Sequence, residues 1–422
     1  MTAKPLSYVR ERGELLWHRP PGFAIMPPGN LGTEPVSGAA VSSLEMVRRL
    51  VAFDTTSRES NLALIEHVRD YLAGWGVQSE LIYDRDGRKA NLYAAIGPED
   101  RRAVILSGHT DVVPVDGQDW DTDPFRVAEK DGCLFGRGTS DMKSFIAVAL
   151  ALVPEFLARP LKTPVHFAFS YDEEVGCIGV RDLIAGLKQR PVRPSACIVG
   201  EPSLMKPVIA HKGKNSYRCR VHGLEAHSAL SHQGVNAVEA AAEIIAFLKA
   251  MARRKRDHGP FDAGFSPPYT TVHTGVIAGG TALNIVPRDC RFDFEFRNIP
   301  AEDPAQLFAE VKRYAETVLL PEMRQASAAT GIAFEEMTAT AGLDTPLDHP
   351  LVQLAQSLTG ANDTAKVSFC AEAGLFQEAE IPTVICGPGS IDVAHKPNEY
   401  VALDQIRLCE RFMRRLMDHL AQ

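Results

Sequence analysis

After residue 41, short continuous apolar runs alternate with segments in which apolar residues recur at helical spacing. Short continuous apolar runs predict strands buried on both faces of a sheet, and they occupy residues 91–96, 103–107, 165–169 and 196–199. Helical spacing predicts helices between them, notably at 142–157 and 180–187. Alternating strands and helices predict an α/β domain with a largely parallel or mixed sheet.

The pattern changes after about residue 207. Residues 215–222, 271–277, 290–297 and 332–337 read as strands, and 236–251 and 304–320 have helical periodicity. Their order, strand–helix–strand–strand–helix–strand, predicts a ferredoxin-like α+β domain. The segments after residue 341 are a helix at 352–358, a strand at 383–385 and a helix at 403–420, and they resemble the first, α/β part of the chain. We therefore predict that residues 207–341 are inserted into a domain formed by residues 42–206 and 342–422.

Composition excludes several classes of protein. The chain has 422 residues with 45 Lys and Arg against 53 Asp and Glu, a net charge of −8, which argues against a general binder of nucleic acid or anionic membranes. No apolar run approaches the roughly 18 residues of a membrane span. Eight cysteines without CxxC spacing indicate reduced thiols in a cytoplasmic protein. Residues 1–41 are rich in proline, and we expect a poorly ordered tail there.

Histidine and aspartate residues lie next to two of these segments. His109 and Asp111 come directly after the predicted strand 103–107, and residues two apart on an extended segment point the same way. A carboxylate can therefore hold the imidazole for a metal. Taken alone, the pair is more simply a loop histidine with a capping aspartate. Asp141 precedes the predicted helix and, taken alone, is most simply a helix cap.

Carboxylates also cluster where two other predicted strands end. Glu173 and Glu174 follow strand 165–169, and Glu201 follows strand 196–199. Adjacent carboxylates such as Glu173 and Glu174 repel one another unless a cation neutralises them, although taken alone they are also typical of a solvated acidic loop. His395 lies in a loop near the end of the chain. Together these histidines and carboxylates suit a two-metal hydrolase site holding zinc, cobalt or manganese.

Five motifs in this order resemble those of the M20 metallopeptidases. They are HTD at 109–111, GRGTSDMK at 136–143, DEE at 172–174, GEP at 200–202 and HKPNE at 395–399. The resemblance covers about residues 42–422. Within the family it is greatest to the branch that deacetylates N2-acetyl-L-ornithine, through residues 210–213, 280–287, 295–297 and 386–390. It implies a dimetal catalytic domain and an inserted dimerisation, or lid, domain.

The resemblance also implies a role for each candidate residue. Two zinc ions per subunit are expected, with cobalt as an alternative metal. Asp141 would bridge them. The other implied ligands are His109 and Glu201 at one metal, and Glu174 and His395 at the other. Asp111 would support His109 in catalysis, and Glu173 would be the general base that moves a proton from water to the leaving nitrogen.

Further residues are implied to bind the substrate. His227 would cross the interface of a homodimer and donate to the oxyanion, while Asn284 and Arg297 would bind the substrate carboxylate. Their simpler roles are a surface histidine, a turn amide and a surface ion pair. Glu372 is our candidate to bind the cationic side-chain amine of ornithine; the alternative is a solvated acid at a helix N-terminus.

The expected activity is hydrolysis of N2-acetyl-L-ornithine to acetate and L-ornithine, as in arginine biosynthesis. The alternative within the family is another small-molecule activity on N-acyl amino acids, such as a succinyl-diaminopimelate desuccinylase or an aminoacylase. The alternative from another class is an inactive binding homologue. The complete ligand set and the intact Glu173 argue against the last. A substrate panel and a chelator separate the three.

Overall fold

The computed structural model describes residues 39–422, so nearly all of the tail predicted for residues 1–41 lies outside the described residues. The helices are α1 Ser43–Val51, α2 Leu62–Gly74, α3 Lys143–Ala151, α4 Val153–Ala158, α5 Val180–Lys188, α6 Ala237–His258, α7 Pro304–Tyr314, α8 Leu320–Ala326, α9 Pro350–Thr359, α10 Ala373–Glu378 and α11 Leu403–Leu420. No described helix is both long enough and apolar enough to cross a membrane.

The strands divide between two main sheets and two small ones. They are β1 Ser79–Tyr83, β2 Ala90–Ile96, β3 Val104–His109, β4 Ala128–Lys130, β5 Cys133–Phe135, β6 Val165–Ser170, β7 Ala196–Pro202, β8 Val208–His211, β9 Gly213–His222, β10 Ala226–His227, β11 Thr271–Gly279, β12 Ile285–Val286, β13 Asp289–Asn298, β14 Gly331–Thr340, β15 Leu343–Asp344, β16 Ala365–Val367, β17 Thr383–Gly387 and β18 Tyr400–Ala402.

The larger sheet is mixed, as the sequence predicts. Its order is β1-β2-β6-β3-β7-β17-β8-β15, and β16 also pairs with β8. The four central strands β6, β3, β7 and β17 run parallel. Because their carboxyl ends meet at one edge of the sheet, residues that follow these strands are brought together.

Helices cover both faces of the larger sheet. On one face α1, α2, α3, α9 and α11 enclose the main apolar core, and on the other α5 and α10 enclose a smaller one. The side chains of α3 from Lys143 to Leu150 are buried all round the helix. Strands buried on both faces explain the continuous apolar runs in the sequence.

The second main sheet is antiparallel, with the order β11-β13-β9-β14. In chain order this segment runs β9, α6, β11, β13, α7 and β14. Alternate residues of β9 are buried, and α6 and α7 enclose an apolar core on that face, while the other face carries polar side chains. The chain passes between the two sheets twice, side by side, because Thr340 pairs with Lys214 and Leu343 pairs with His211.

Helix boundaries follow local signals that the sequence contains. The Ser42 side chain accepts a hydrogen bond from the Glu45 backbone N–H and begins α1, as its capping motif predicts. The single helix predicted for 142–157 is two helices, α3 and α4, and Pro154 lies in the first turn of α4, where it cannot continue the ladder of α3. The helix predicted for 304–320 is interrupted by a π-helical segment, Ala315–Leu319.

Candidate metal centre

The candidate residues collect at the carboxyl edge of the four parallel strands. His109 is the last residue of β3, Glu201 is near the end of β7, and Glu174 follows β6 by four residues. His395 lies in the loop after β17, and Asp141 lies in the loop that leads into α3. The sheet therefore brings together side chains from five separate parts of the chain.

Asp141 lies between two histidines. His109 Nε2 lies 3.0 Å from Asp141 Oδ1, and His395 Nε2 lies 3.2 Å from Asp141 Oδ2. The two oxygens of one carboxylate face two imidazoles, which is the arrangement that a ligand bridging two cations requires.

Each histidine has a second carboxylate beside it. Glu201 Oε1 lies 3.6 Å from His109 Nε2, and Glu174 Oε2 lies 3.0 Å from His395 Nε2. The structure thus places the five predicted ligands in two groups that share Asp141. The side chains of His109 and Asp141 are buried, whereas that of His395 is half-exposed.

Glu173 lies beside these two groups. One of its oxygens is within 4.8 Å of ligand atoms of His109 and Glu201, and its Oε1 accepts a hydrogen bond from Cys177 Sγ over 3.3 Å. Burial raises the pKa of Glu173 well above its ordinary value; His109 opposes the rise and Glu174 adds to it. A carboxyl group with a raised pKa is suited to accept and return a proton near neutral pH.

Asp111 contacts His109, as the sequence predicts, but through its backbone oxygen rather than its carboxylate. The Nδ1 of His109 donates to the backbone oxygen of Asp111 over 2.9 Å, while the nearer carboxylate oxygen is 3.5 Å away. The Asp111 carboxylate instead accepts from Ser57 Oγ and from the backbone N–H groups of Glu173 and Glu174. Asp111 therefore orients the imidazole through its main chain and the acidic loop through its side chain.

A buried oxygen without a partner indicates that the cluster fits a cation. Glu174 Oε1 is buried and has no hydrogen-bond partner in the structure, and burial, reinforced by Asp141, raises the pKa of Glu174. Burial and Asp141 likewise hold the pKa of Glu201 well above its ordinary value. Hydrogen bonds that His395 donates to the carboxylates of Asp141 and Glu174 raise its pKa to about 10. Imidazole nitrogens with carboxylate oxygens suit zinc or cobalt, whose positive charge would relieve the repulsion among these buried carboxylates.

An internal ion pair fixes the loop that carries Asp141, and the sequence reasoning did not identify it. Glu399 Oε2 accepts from Arg137 Nη1 over 2.6 Å. Its Oε1 accepts from the backbone N–H groups of Ser140 and Asp141, over 2.8 and 3.0 Å. Both charged side chains are 1% exposed. The signal was present, because Arg137 and Glu399 belong to two of the quoted motifs, but their pairing spans 262 residues.

A cavity of about 290 Å³ opens beside the cluster. Its lining includes Glu173, Glu174 and His395 from the cluster and three residues of the antiparallel sheet. The complete lining is Glu173, Glu174, Gly176, Cys177, Lys214, Arg297, Thr340, Phe369, Cys370, Ile391, Ala394 and His395. Arg297 is thus placed where the sequence predicts a substrate ligand, and its Nε donates to Glu295 Oε1 over 2.9 Å.

His227 and Asn284 lie next to each other but do not line this cavity. His227 pairs with Ile285 across β10 and β12, and the Asn284 backbone oxygen accepts from the N–H of Ser228. Both side chains are exposed. Within one chain the structure therefore does not bring these two predicted residues to the metal cluster.

Glu372 lies in a different place from the one predicted. It is 0% exposed and does not line the cavity. Its two carboxylate oxygens accept from Ser107 Oγ over 2.6 Å and from Ser170 Oγ over 2.7 Å. Ser107 belongs to β3 and Ser170 to β6, so Glu372 joins two strands behind the site. This position corrects the expectation of a carboxylate that faces the substrate, because serine hydroxyls already occupy both oxygens.

Comparison with known proteins agrees with this geometry. Residues 105–419 match the sequence model of peptidase family M20/M25/M40. An acetylornithine deacetylase of Myxococcus xanthus is 37% identical over 380 residues, covering 88% of this chain and 95% of that protein. An acetylornithine deacetylase of Yersinia pseudotuberculosis is 33% identical over 392 residues, covering 90% and 97%.

Solved structures show the same fold at lower identity. The M20 family metallo-carboxypeptidase Sso-CP2 of Sulfolobus solfataricus has a TM-score of 0.69 at 17% identity, covering 90% of this chain and 99% of that chain. A Bacillus subtilis protein described as a dinuclear metal binding peptidase from the M20 family has a TM-score of 0.60 at 17% identity, covering 89% and 96%.

Proposed function

Because the chain belongs to peptidase family M20/M25/M40, we propose that it is a metal-dependent deacetylase that hydrolyses N2-acetyl-L-ornithine to acetate and L-ornithine. The observation that carries the proposal is the Asp141 carboxylate, whose two oxygens face His109 and His395. The similarity to acetylornithine deacetylases over about nine-tenths of the chain supports the substrate.

The site residues divide the chemistry between them. Two zinc ions, or cobalt in their place, would be held by the two groups that share Asp141; when bound, such ions polarise an acyl carbonyl and lower the pKa of a water towards about 7. Glu173 takes a proton from the attacking water on its carboxylate and returns it to the leaving amine nitrogen. Asp111 keeps His109 and the Glu173 loop in position through the hydrogen bonds described above.

The remaining predicted residues act on the substrate. Arg297 in the cavity wall binds the substrate carboxylate. His227 donates to the oxyanion across the interface of a homodimer, and Asn284 binds the substrate carboxylate with Arg297; the exposure of His227 and Asn284 supports this assignment. The proposal therefore includes a cytoplasmic homodimer formed through residues 207–341.

The test is the release of free ornithine from N2-acetyl-L-ornithine by the purified chain, with and without a chelator. N-acetyl-L-methionine and N-succinyl-diaminopimelate serve as competing substrates, and the Glu173→Gln variant is the control for contaminating activity. We expect the highest kcat/KM on N2-acetyl-L-ornithine, loss of turnover with chelator and recovery on adding zinc or cobalt. A higher kcat/KM on either competing substrate would overturn the substrate assignment, and turnover unaffected by the chelator would overturn the metal dependence.

A further inference from the structure

Lys214 occupies a position in the cavity wall that the sequence motifs do not mark. It is the second residue of β9, where it pairs with Arg297 on β13 and with Thr340 on β14. All three residues line the cavity that Glu173 and Glu174 also line. One row across the antiparallel sheet thus lines the cavity beside the metal cluster.

The other basic side chains on this face of β9 are already paired. Arg218 donates twice to Asp293, over 2.8 and 2.7 Å. Arg220 lies 3.1 Å from Glu335, and His222 Nδ1 lies 2.7 Å from a carboxylate oxygen of Asp289. Among residues 39–422, Lys214 forms no ion pair and no side-chain hydrogen bond.

The guanidinium of Arg297, next to Lys214, is also partly bound by another side chain. Arg297, its neighbour in the row, uses its Nε to bind Glu295, which leaves the outer guanidinium nitrogens for a ligand. Lys214 is half-buried as a residue, and its ammonium has no protein partner among the described residues. An anionic ligand group in the cavity would supply that partner.

We propose that Lys214 binds the α-carboxylate of the N-acyl amino acid together with Arg297 and selects substrates that carry a free carboxylate. The inference rests on the proposed function. The acyl carbonyl must lie at the cluster of Glu173, Glu174 and His395 for hydrolysis. The amino-acid part of the substrate then occupies the rest of the cavity, whose lining includes the cross-strand neighbours Lys214 and Arg297.

The test compares an acid with its neutral amide. Substrates are N2-acetyl-L-ornithine and its α-carboxamide, and the variants are Lys214→Met and Lys214→Arg in the metal-loaded full chain. Lys249→Met is the matched control, because Lys249 is exposed on α6, outside the cavity, and its replacement removes the same charge. One charge-assisted hydrogen bond corresponds to a factor of about 10 to 100.

We expect Lys214→Met to raise KM for the acid by that factor with little change in kcat, and to leave kcat/KM for the carboxamide within about twofold. Lys214→Arg should restore most of the preference for the acid, and Lys249→Met should match the wild type. Equal losses on acid and carboxamide, or no loss on either, would overturn the role of Lys214, because both results mean that the ammonium does not bind the carboxylate.

A binding measurement separates this inference from the proposed function. Calorimetry of the Glu173→Gln protein with the same two compounds reports binding without turnover. If the wild type hydrolyses no N-acyl amino acid, the proposed function fails, and the preference in binding decides the Lys214 proposal alone. A preference for the acid that Lys214→Met abolishes supports it. An unchanged preference, or no binding of either compound, rejects it.

Discussion

Replacing Glu399 by alanine should destabilise the protein far more than removing an exposed carboxylate. The substitution leaves the Arg137 guanidinium buried without its anion, and it leaves the backbone N–H groups of Ser140 and Asp141 without acceptors. Among residues 39–422, Arg137 then keeps Gln118 Oε1 at 2.7 Å and the Lys396 backbone oxygen at 3.4 Å as hydrogen-bond acceptors, neither of which is an anion. Removing one partner of a buried ion pair costs about 3–5 kcal/mol of unfolding free energy.

The control is Glu129→Ala, which removes the carboxylate that contacts Arg48 over 2.6 Å. Those side chains are 37% and 47% exposed, so the expected loss is at most about 1 kcal/mol. Urea unfolding of both variants gives the two free energies. Because Glu399 also orients the Asp141 loop, its loss should weaken metal affinity about 10- to 100-fold. A Glu399→Ala protein within about 1 kcal/mol of the Glu129→Ala protein would refute the reasoning.

Four further results are expected. Glu173→Gln should keep both metals by elemental analysis but lose about 10²–10⁴-fold in kcat, since an amide cannot accept the proton of water; near-normal turnover would contradict its role. Mixing that variant with His227→Ala, once subunit exchange is shown, should restore part of the activity through dimers with one intact site, and continued inactivity would exclude action across the interface. Glu372→Gln should lower kcat/KM for charged and neutral substrates alike, because its oxygens bind Ser107 and Ser170; a loss confined to cationic substrates would restore the original prediction. The pKa of His395 is raised from 6.5 to about 10, so the stabilisation from its protonated form is complete below pH 6.5 and lost as pH rises through 10. Metal binding at pH 7 should therefore release protons, which calorimetry in two buffers of different ionisation enthalpy measures. A metal titration that releases no protons would contradict this expectation.

The sequence predicts the location of the candidate site because each motif follows an apolar run. Parallel strands place their carboxyl ends at one edge, so His109, Glu174 and Glu201 could be expected to meet without any knowledge of their distances. Asp141 and His395 follow no such rule, since both lie in longer loops. Their place in the site follows from the resemblance of their motifs alone, and the structure shows them in contact.

Other features depend on contacts that no local pattern records. Glu372 has the same local sequence whether it faces solvent or the serines of two neighbouring strands, so its burial could not be predicted. The alternation of β9 places Lys214 on the polar face, but only the crossing of the chain between the two sheets brings that face over the metal cluster. The pairing of Arg137 with Glu399 is non-local for the same reason.

The paired crossing between the two sheets also determines how a rotation of one against the other would be distributed. Lys214 lies at the crossing itself, whereas His222 lies eight residues farther along β9, about 26 Å away at the rise of an extended strand. A rotation of about 10° about the crossing would displace His222 by roughly 4–5 Å. It would displace Lys214 by only about 1 Å, because Lys214 lies next to the crossing. A ligand bound by Lys214 would therefore stay close to the axis of such a rotation. The end of the sheet at His222 would move farthest.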